Sequence, residues 1–321
     1  MKKIYIILLL HSVVSMAQTQ IGSDINGEAA GDYSGSSVSL SSDGNIVAIG
    51  AYQNDGNGSN SGHVRVYQNT SGVWTQIGAD INGEAAGDQS GESVSLSSDG
   101  SIVAIGASRN DGNGNNSGHV RVYQNVSGVW TQIGADIDGE AASDHSGESV
   151  SLSSDGSIVA IGASYSSANG YGSGHVRVYQ NISGVWTQIG ADIDGEAANN
   201  YSGYSVSLSS NGSIVAIGAY LNSDNGTNSG HTRLYDLTAV LASDSFVQSN
   251  FLLYPNPSNG IVTIALANNL QLEKVSIYNQ LGQLVKTAAT NVIHTIELAP
   301  GTYYIEVVTN QGKATKQLIV K

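Results

Sequence analysis

The sequence contains no cysteine, so disulfide bonds, thiolate metal sites and thiol nucleophiles are excluded. Proline is also scarce, with three residues that all lie beyond residue 250, whereas glycine occurs 40 times. Many glycines without prolines suit tight turns between short strands better than they suit collagen or disorder. The composition therefore indicates a folded chain that is rich in turns.

Basic side chains are few in the first two thirds of the chain. Residues 19–236 carry 22 acidic and 5 basic side chains, a net charge of −17, whereas residues 251–321 carry 3 acidic and 5 basic, a net charge of +2. Nucleic-acid-binding surfaces need patches of Lys and Arg. We therefore expect no nucleic-acid partner.

Long apolar runs are absent too, since none reaches the roughly 20 residues that span a bilayer. The apolar run at residues 4–10 follows two lysines and precedes a small-x-small sequence at residues 15–17, which is typical of a secretory signal peptide. We predict a signal peptide at residues 1–17, export to the periplasm and no transmembrane segment. No cysteine follows the cleavage site to accept a lipid.

A unit of 56 residues is repeated four times between residues 19 and 236. Three residue types mark the repeat, because successive members of each type are 56 residues apart with no insertion. They are Trp74, Trp130 and Trp186; His63, His119, His175 and His231; and Arg65, Arg121, Arg177 and Arg233. A strict period of this size predicts one supersecondary unit whose neighbours bury each other's apolar faces.

Within the unit, period-two alternation predicts β-strands. In the second repeat, alternating segments at residues 93–97 and 119–123 flank an uninterrupted apolar run at residues 102–107, and a fourth strand at residues 129–133 carries Trp130. Four short antiparallel strands in about 56 residues match one β-propeller blade. The fold class is therefore predicted to be all-β.

The phase of the repeats predicts ring closure. Residues 19–22 have the sequence of a fourth strand, and residues 230–235 end the repeats on a third strand. Together they would complete one blade and remove exposed sheet edges. Because four blades make a small ring, an arrangement of two chains stays an alternative.

These repeats resemble the FG-GAP repeats of integrin-α-like β-propellers. The resemblance is carried by W-T-Q at residues 74–76, G-D-Q-S-G-E-S-V at 87–94, G-A at 106–107 and G-H-V-R-V-Y at 118–123. It implies a β-propeller of four four-stranded blades over residues 18–236. Two departures stand out: the family's Phe is serine at positions 34, 90, 146 and 202, and its Pro after Gly-Ala is Tyr or Ser at positions 52, 108, 164 and 220.

The repeat ends before residue 237, and residues 237–250 are predicted to be a linker. Short apolar segments separated by Gly, Asn and Pro turns then predict a small β-sandwich over residues 251–321. The expected strands lie at residues 261–266, 275–278, 283–287, 295–298, 303–309 and 315–320.

This C-terminal stretch resembles the type A C-terminal sorting domain of the type IX secretion system. The motifs are PNPSNG at residues 255–260, VSIYNQLGQLV at 275–285, GTYYI at 301–305 and a basic end at 312–321. The resemblance implies that the type IX machinery is a partner through residues 251–321. It also implies passage across the outer membrane, removal of the domain, and either release or attachment at the cell surface.

In a four-stranded meander, the connections at residues 79–91 and 108–118 emerge on one face, and loops on a rigid scaffold commonly carry binding sites. Their acidic side chains could bind Ca²⁺, one ion per repeat. The candidate ligands are Asp80, Asn82, Glu84, Asp88, Asp136, Asp138, Glu140 and Asp144. The alternative, a solvated connection with Asx turns, is favoured because the pattern departs from an EF-hand loop. Integrin-like calcium loops also lie between the first two strands, where this chain has a short turn at residues 98–100. No other cofactor is expected.

The four periodic histidines could suggest a metal site, but an arginine two residues away disfavours a cation. We therefore predict that they are structural and form hydrogen bonds between blades.

Few residues break the symmetry of the repeats, and an enzyme acting on one substrate would need such residues. Six variable side chains are the candidate ligand-binding residues: Tyr33, Arg109, His145, Tyr165, Tyr201 and Tyr204. His145 follows Asp144, but neighbours in an extended chain point apart, and no nucleophile has an orienting partner. Tyrosine suits recognition instead. The sequence favours a non-catalytic binding or adhesion protein for a glycan or an extracellular protein; the alternatives are a polysaccharide hydrolase or lyase and a structural surface component.

Overall fold

The computed structural model describes residues 18–241, 251–266, 270–280, 282–310 and 312–321. The predicted signal peptide and residues 242–250 of the predicted linker lie outside this part of the chain. The described residues form an all-β structure of repeated antiparallel sheets.

Each of the first three repeats forms a meander of four antiparallel strands, and a two-residue fifth strand pairs with the third. The first sheet contains β1 (Ser37–Leu40), β2 (Ile46–Ala51), β3 (His63–Thr70), β4 (Val73–Gln76) and β5 (Ile81–Asn82). The second contains β6 (Ser93–Leu96), β7 (Ile102–Ala107), β8 (His119–Val126), β9 (Val129–Gln132) and β10 (Ile137–Asp138). The third contains β11 (Ser149–Leu152), β12 (Ile158–Ala163), β13 (His175–Ile182), β14 (Val185–Gln188) and β15 (Ile193–Asp194).

The fourth sheet has three strands, β16 (Ser202–Leu208), β17 (Ile214–Ala219) and β18 (His231–Asp236). The predicted completion of this sheet by residues 19–22 is not found, because β18 pairs with β17 and not with the start of the chain. Instead, the Ile21 carbonyl accepts a hydrogen bond of 2.9 Å from Trp74 of the first sheet. The start of the chain is therefore held by the first repeat.

The turn between the first two strands is built by an Asp-Gly pair, as expected. Asp99 Oδ1 accepts hydrogen bonds from the Ser97 hydroxyl at 2.7 Å and from the Ser101 amide at 3.0 Å, and Gly100 has a φ of 70°, which favours glycine. These bonds hold the pKa of Asp99 below its ordinary value, against the opposing effect of burial.

Three apolar cores lie between successive sheets, not within them. The first joins Val64 and Val66 of the first sheet to Val94 and Leu96 of the second. Equivalent residues form the cores between the second and third sheets and between the third and fourth. Each sheet is thus stabilised by its neighbours, as in other repeat proteins.

Residues 237–241 do not act as a linker. The short helix α1 (Thr238–Leu241) follows β18, and Leu237 is buried in the third core with Val240 and Leu241 packed around it. This part of the segment is therefore an extension of the fourth repeat.

The C-terminal region contains two sheets around its own core. One is formed by β19 (Phe251–Tyr254), β20 (Ile261–Leu266) and β23 (Val292–His294), and the other by β21 (Leu272–Tyr278), β22 (Leu284–Ala288), β24 (Gly301–Thr309) and β25 (Gly312–Val320). Phe251, Val262, Ile277, Ile305 and Leu318 lie in the core between them.

The predicted strand at residues 295–298 is wrong. The strand lies earlier, at Val292–His294, and Leu298 donates a backbone hydrogen bond of 2.9 Å to Thr295 in a turn. Across the described residues, no helix has the length and apolar character that a membrane crossing requires.

Candidate ligand-binding face

The predicted meeting of the two long connections is confirmed. Asn113, in the connection between β7 and β8, donates side-chain hydrogen bonds to the carbonyls of Gly139 at 2.8 Å and Glu140 at 3.0 Å, in the connection that leads to the third sheet. The Ser146 amide also donates to the Ser117 carbonyl at 2.9 Å. We call the surface formed by these paired connections the long-loop face.

One position of the long-loop face holds a non-glycine residue in the left-handed backbone region in every repeat. Its occupants, Tyr33, Gln89, His145 and Tyr201, have φ values of 54°, 58°, 57° and 53°. Non-glycine residues rarely adopt this conformation, and strained positions of this kind cluster at functional sites. Glycine would adopt this backbone conformation without strain. The large side chains at this position are therefore expected to have a function of their own.

In the third and fourth repeats these side chains belong to a continuous series of ring contacts, which we call the aromatic row. Its members are His145, Tyr165, Tyr201, Tyr220 and Tyr204. Successive ring centroids are 4.8, 5.1, 5.8 and 4.4 Å apart. These separations fall in or near the range that aromatic pairs prefer.

The structure therefore brings four of the predicted ligand-binding residues together, namely His145, Tyr165, Tyr201 and Tyr204. Arg109 lies close enough to influence the pKa of His145. Tyr33 is placed elsewhere, since its ring packs on Tyr52 in the first repeat at 5.7 Å.

Tyr220 was not among the predicted residues, although the sequence contained its signal. It stands where the FG-GAP pattern has proline, and Tyr204 packs on it at 4.4 Å. In the second and third repeats the corresponding pairs are Glu92 with Ser108 and Glu148 with Ser164, which are joined by hydrogen bonds from the serine hydroxyls. Two tyrosines thus replace a hydrogen-bonded pair in the fourth repeat, and this exchange extends the row.

A cavity of about 600 Å³ lies beside the row in the third repeat. His145, Tyr165 and Tyr171 supply its aromatic walls, and Glu140 and Asp144 supply carboxylates. Tyr171 is 66% exposed and Tyr204 49%. The site thus combines accessible ring faces with hydrogen-bond acceptors.

Burial sets the protonation of the groups around the row. It is the main cause that lowers the pKa of His145, with Arg109 adding to the effect, so the imidazole is neutral near pH 7. Burial also raises the pKa of Glu148 and of Tyr165. The His145 and Tyr165 rings are therefore uncharged near pH 7.

Asp144 and His145 do not form an acid–base pair. Asp144 Oδ2 accepts a hydrogen bond of 3.0 Å from the Ala141 amide, whereas the His145 ring packs on Tyr165. The two side chains therefore have separate partners, as the alternation of adjacent residues predicts.

The periodic histidines lie in groups with two carboxylates from neighbouring connections. In each group the three potential ligand atoms lie within 4.8 Å of one another: Glu28, His63 and Asp80; Glu84, His119 and Asp136; Glu140, His175 and Asp192; Glu196, Asp224 and His231. His63 Nδ1 is 3.8 Å from Glu28 and 4.0 Å from Asp80, which is beyond hydrogen-bond distance. The expected histidine hydrogen bonds between blades are not found among the described residues.

The donor types in these groups are those that zinc accepts, but an arginine competes for each glutamate. Arg121 Nη1 lies 3.4 Å from Glu84, and its Nη2 donates a hydrogen bond of 2.8 Å to the Asn82 carbonyl. Arg65, Arg121 and Arg177 are at least nine-tenths buried. The guanidinium thus supplies the positive charge and ties the acidic connection to the third strand.

The predicted calcium ligands are distributed among different partners. Asp80 belongs to the group of His63, and Glu84 to the group of His119. Asp88 Oδ2 accepts hydrogen bonds from the Ala85 amide at 2.9 Å and the Asn110 amide group at 3.1 Å. The next connection repeats the pattern, with Asp136 near His119, Glu140 near His175 and Asp144 bonded to Ala141. Among the described residues, no three carboxylates of one connection converge.

Four segments of the chain match two known families. Residues 26–67, 82–123 and 191–235 match the FG-GAP repeat, and residues 252–321 match the secretion system C-terminal sorting domain. No curated protein matches the sequence.

Solved structures resemble the chain only distantly. Hydrazine synthase of Kuenenia stuttgartiensis is 11% identical with a TM-score of 0.43, and the match covers 94% of this chain and 70% of that one. The periplasmic gluconolactonase PpgL of Pseudomonas aeruginosa is 14% identical with a TM-score of 0.40, covering 89% and 85%. A putative TolB from Agrobacterium tumefaciens is 10% identical with a TM-score of 0.37, covering 88% and 79%.

Proposed function

We propose that this chain, which contains FG-GAP repeats and a secretion system C-terminal sorting domain, is an exported, non-catalytic binding protein that recognises a neutral glycan. The type IX machinery carries it across the outer membrane, for release or for attachment at the cell surface. The repeats act as propeller-type blades that present the aromatic row. Calcium is not required for this role.

The observation that supports this proposal is the aromatic row on the long-loop face. Tyrosine rings offer flat apolar surfaces with a polar tip, which is suited to the faces and hydroxyls of sugars. Carboxylates of Glu140 and Asp144 beside the row can accept hydrogen bonds from those hydroxyls. The successive contacts between the rings already restrain their side chains, so less side-chain entropy is lost on binding.

Charge favours a neutral ligand over an anionic one. Residues 19–236 have a net charge of −17, and Arg109 is the one exposed basic residue among the described residues of the repeats. An acidic polysaccharide would be repelled by such a surface.

A glycan array with the purified chain tests the proposal, followed by calorimetry with the best glycan. We expect Tyr204→Ala and Tyr165→Ala each to weaken binding at least about tenfold, which corresponds to about 1.4 kcal/mol. Tyr33→Ala is the matched control, because its ring packs on Tyr52 outside the row. Absence of any bound glycan, or equal losses in all three variants, would contradict the proposal.

The enzyme alternative is tested on the same glycans. A binding protein leaves them intact, so we expect no new reducing ends and no unsaturated products after long incubation. Release of either product would identify a hydrolase or a lyase and would overturn the non-catalytic assignment.

A further inference from the structure

Successive sheets pack through the same two faces. We call the side of a sheet that packs on the preceding sheet its leading face, and the opposite side its trailing face. Val94 and Leu96 of the second sheet's leading face pack with Val64 and Val66 of the first sheet's trailing face. Residues 56 and 112 positions later form the next two interfaces. One pair of complementary faces is thus used three times in this chain.

Within the described part of the chain, no sheet packs on the leading face of the first sheet. Val38 is 63% exposed and Leu40 is 59% exposed, whereas the equivalent Val94 and Leu96 are 9% and 8% exposed. The ends of repeat arrays are usually covered by polar capping repeats. This end keeps the same valine and leucine as the internal interfaces, so it is built like an interface and not like a cap.

The fourth sheet has a free trailing face. Leu234 is 69% exposed, while Val66 and Val122 at the equivalent positions are each 1% exposed. Ile214 is 44% exposed, compared with 5% for the equivalent Ile158. The two free faces therefore lie at opposite ends of the array. The trailing face keeps an apolar residue, Leu234, at the position of Val66, but it has an exposed Thr232 at the position of Val64, Val120 and Val176.

A polar contact accompanies each internal interface and is also left incomplete at the ends. The Leu96 amide donates a hydrogen bond of 2.9 Å to Ser39 Oγ of the preceding sheet, and the same bond recurs at the next two interfaces at 3.0 and 2.9 Å. In the fourth sheet the equivalent serine is Ser207, which is exposed. The equivalent amide of the first sheet is that of Leu40.

The fourth sheet also lacks strands that the start of the chain resembles. Among the described residues β18 pairs with β17 alone, whereas β13 pairs with β12, β14 and β15. Gln20 corresponds to Gln188 of β14, which pairs with Tyr179 of β13, and residues 25–26 correspond to β15. The fourth sheet thus lacks strands equivalent to β14 and β15. The sequence of those strands occurs at the start of the chain, next to the free leading face of the first sheet.

From these relationships we infer that copies of this chain associate head to tail. The leading face of one copy packs on the trailing face of its partner, with Val38 and Leu40 against Leu234 and Ile214. Residues 20–26 of that copy lie along the open edge of β18. A second copy is the occupant that matches both free faces, because it supplies the contacts that the three internal interfaces already use, with Thr232 in place of one valine. The contact is heterologous, so copies close into a ring or extend into a filament.

Mass measurement of the purified chain by light scattering over a concentration series tests the inference. We expect a mass of two or more chains, and a return to the monomer in Leu234→Asp, which places a charge in the contact. The control is Val185→Asp, which replaces a 61% exposed valine in β14 of the third sheet. It should leave the assembly intact. A monomeric wild-type chain at every concentration overturns the inference, as does equal dissociation in both variants.

Cross-linking distinguishes contact between copies from ring closure within one chain. Because the chain has no cysteine, Leu40→Cys and Ser207→Cys can be made in separate chains and mixed under oxidising conditions. Head-to-tail association predicts a disulfide-linked pair that contains one chain of each kind. A double variant that stays monomeric and forms the disulfide internally would show that the chain closes on itself, and would overturn the inference.

Discussion

The indole Nε1 of Trp130 donates a hydrogen bond of 2.7 Å to the carbonyl of Ile77, which precedes it by 53 residues. Trp130 packs at the margin of the core between the first and second sheets, together with Ile77. The same bond joins Trp186 to Ile133 at 2.7 Å. Each of these tryptophans therefore fixes the segment that connects two repeats.

Trp130→Phe should destabilise the repeats by about 1 kcal/mol, because it removes this hydrogen bond and keeps most of the apolar contact. The measurement is thermal unfolding followed by circular dichroism. Trp74→Phe is the matched control, since its bond to Ile21 is exposed at the start of the array, and it should cost less. Equal losses in the two variants would argue against a role for burial at this bond.

Gly106→Ala should be more damaging. A Cβ at Gly106 would lie 2.0 Å from the Gly147 carbonyl of the next repeat, a backbone atom that cannot move independently. Overpacking of this kind typically costs about 1–3 kcal/mol.

Gly218 provides the control for this glycine. Its nearest neighbour is the Ser205 hydroxyl, and no following repeat approaches it within the chain. Gly218→Ala should therefore cost clearly less in the monomer, because a serine side chain can rotate away. Similar melting temperatures for the two variants would contradict the close approach of successive repeats.

Stability should fall in acid because of the buried histidines. Burial is the main cause that lowers the pKa of His119 and of His175 to about 4. In the unfolded chain a histidine titrates near pH 6.5, so between about pH 6.5 and pH 4 the unfolded state binds more protons. Their contribution to stability is complete above this window and is lost as the pH falls through it.

His119→Gln removes one of these groups. We expect its unfolding free energy to change less between pH 7 and pH 4 than that of the wild type, by up to about 3 kcal/mol. Glu84 and Asp138, whose pKa is raised mainly by burial, act in the opposite direction in both proteins. A variant whose pH profile is superimposable on the wild type would show that His119 does not carry the effect.

Millimolar Ca²⁺ should leave the melting temperature unchanged. Calcium needs six to eight converging oxygens, and the structure assigns Asp80, Glu84 and Asp88 to different partners. The measurement is a thermal melt with and without the ion, with Asp88→Asn as a companion variant. A rise in the melting temperature that this variant abolishes would establish the calcium site predicted from the acidic connection.

The strands were predictable where burial on both sides leaves a clear pattern. The run at residues 102–107 coincides with β7, because its residues are covered by sheets on either side. Thr295 fails for the opposite reason. It is buried, and its amide donates a hydrogen bond of 2.8 Å to the Gly260 carbonyl, but its hydroxyl contacts Ser258 at 2.7 Å and its carbonyl accepts from Leu298 in a turn, so the strand ends at His294. Period-two alternation does not separate these cases.

The site was predictable in kind but not in extent. Symmetry breaking identified His145, Tyr165, Tyr201 and Tyr204, since variation among equal repeats is visible in the sequence. Their contact with Tyr220 depends on how the connections of two repeats cross, which spacing alone does not give. The sequence also does not show which faces of the repeats are exposed. Val38 and Val94 occupy equivalent positions, but only Val38, at the end of the array, is exposed.

The burial of the periodic arginines should protect the repeats from trypsin-like proteases outside the cell. Residues 19–236 contain no lysine, and of their five arginines only Arg109 has an exposed side chain. Trypsin-like proteases, which cleave after lysine and arginine, therefore meet one exposed side chain, Arg109, and one partly buried side chain, Arg233, in the described repeats. The sorting domain, in contrast, exposes Lys274 and ends at Lys321. Such proteases should remove the C-terminal region first and leave the repeats as a persistent fragment.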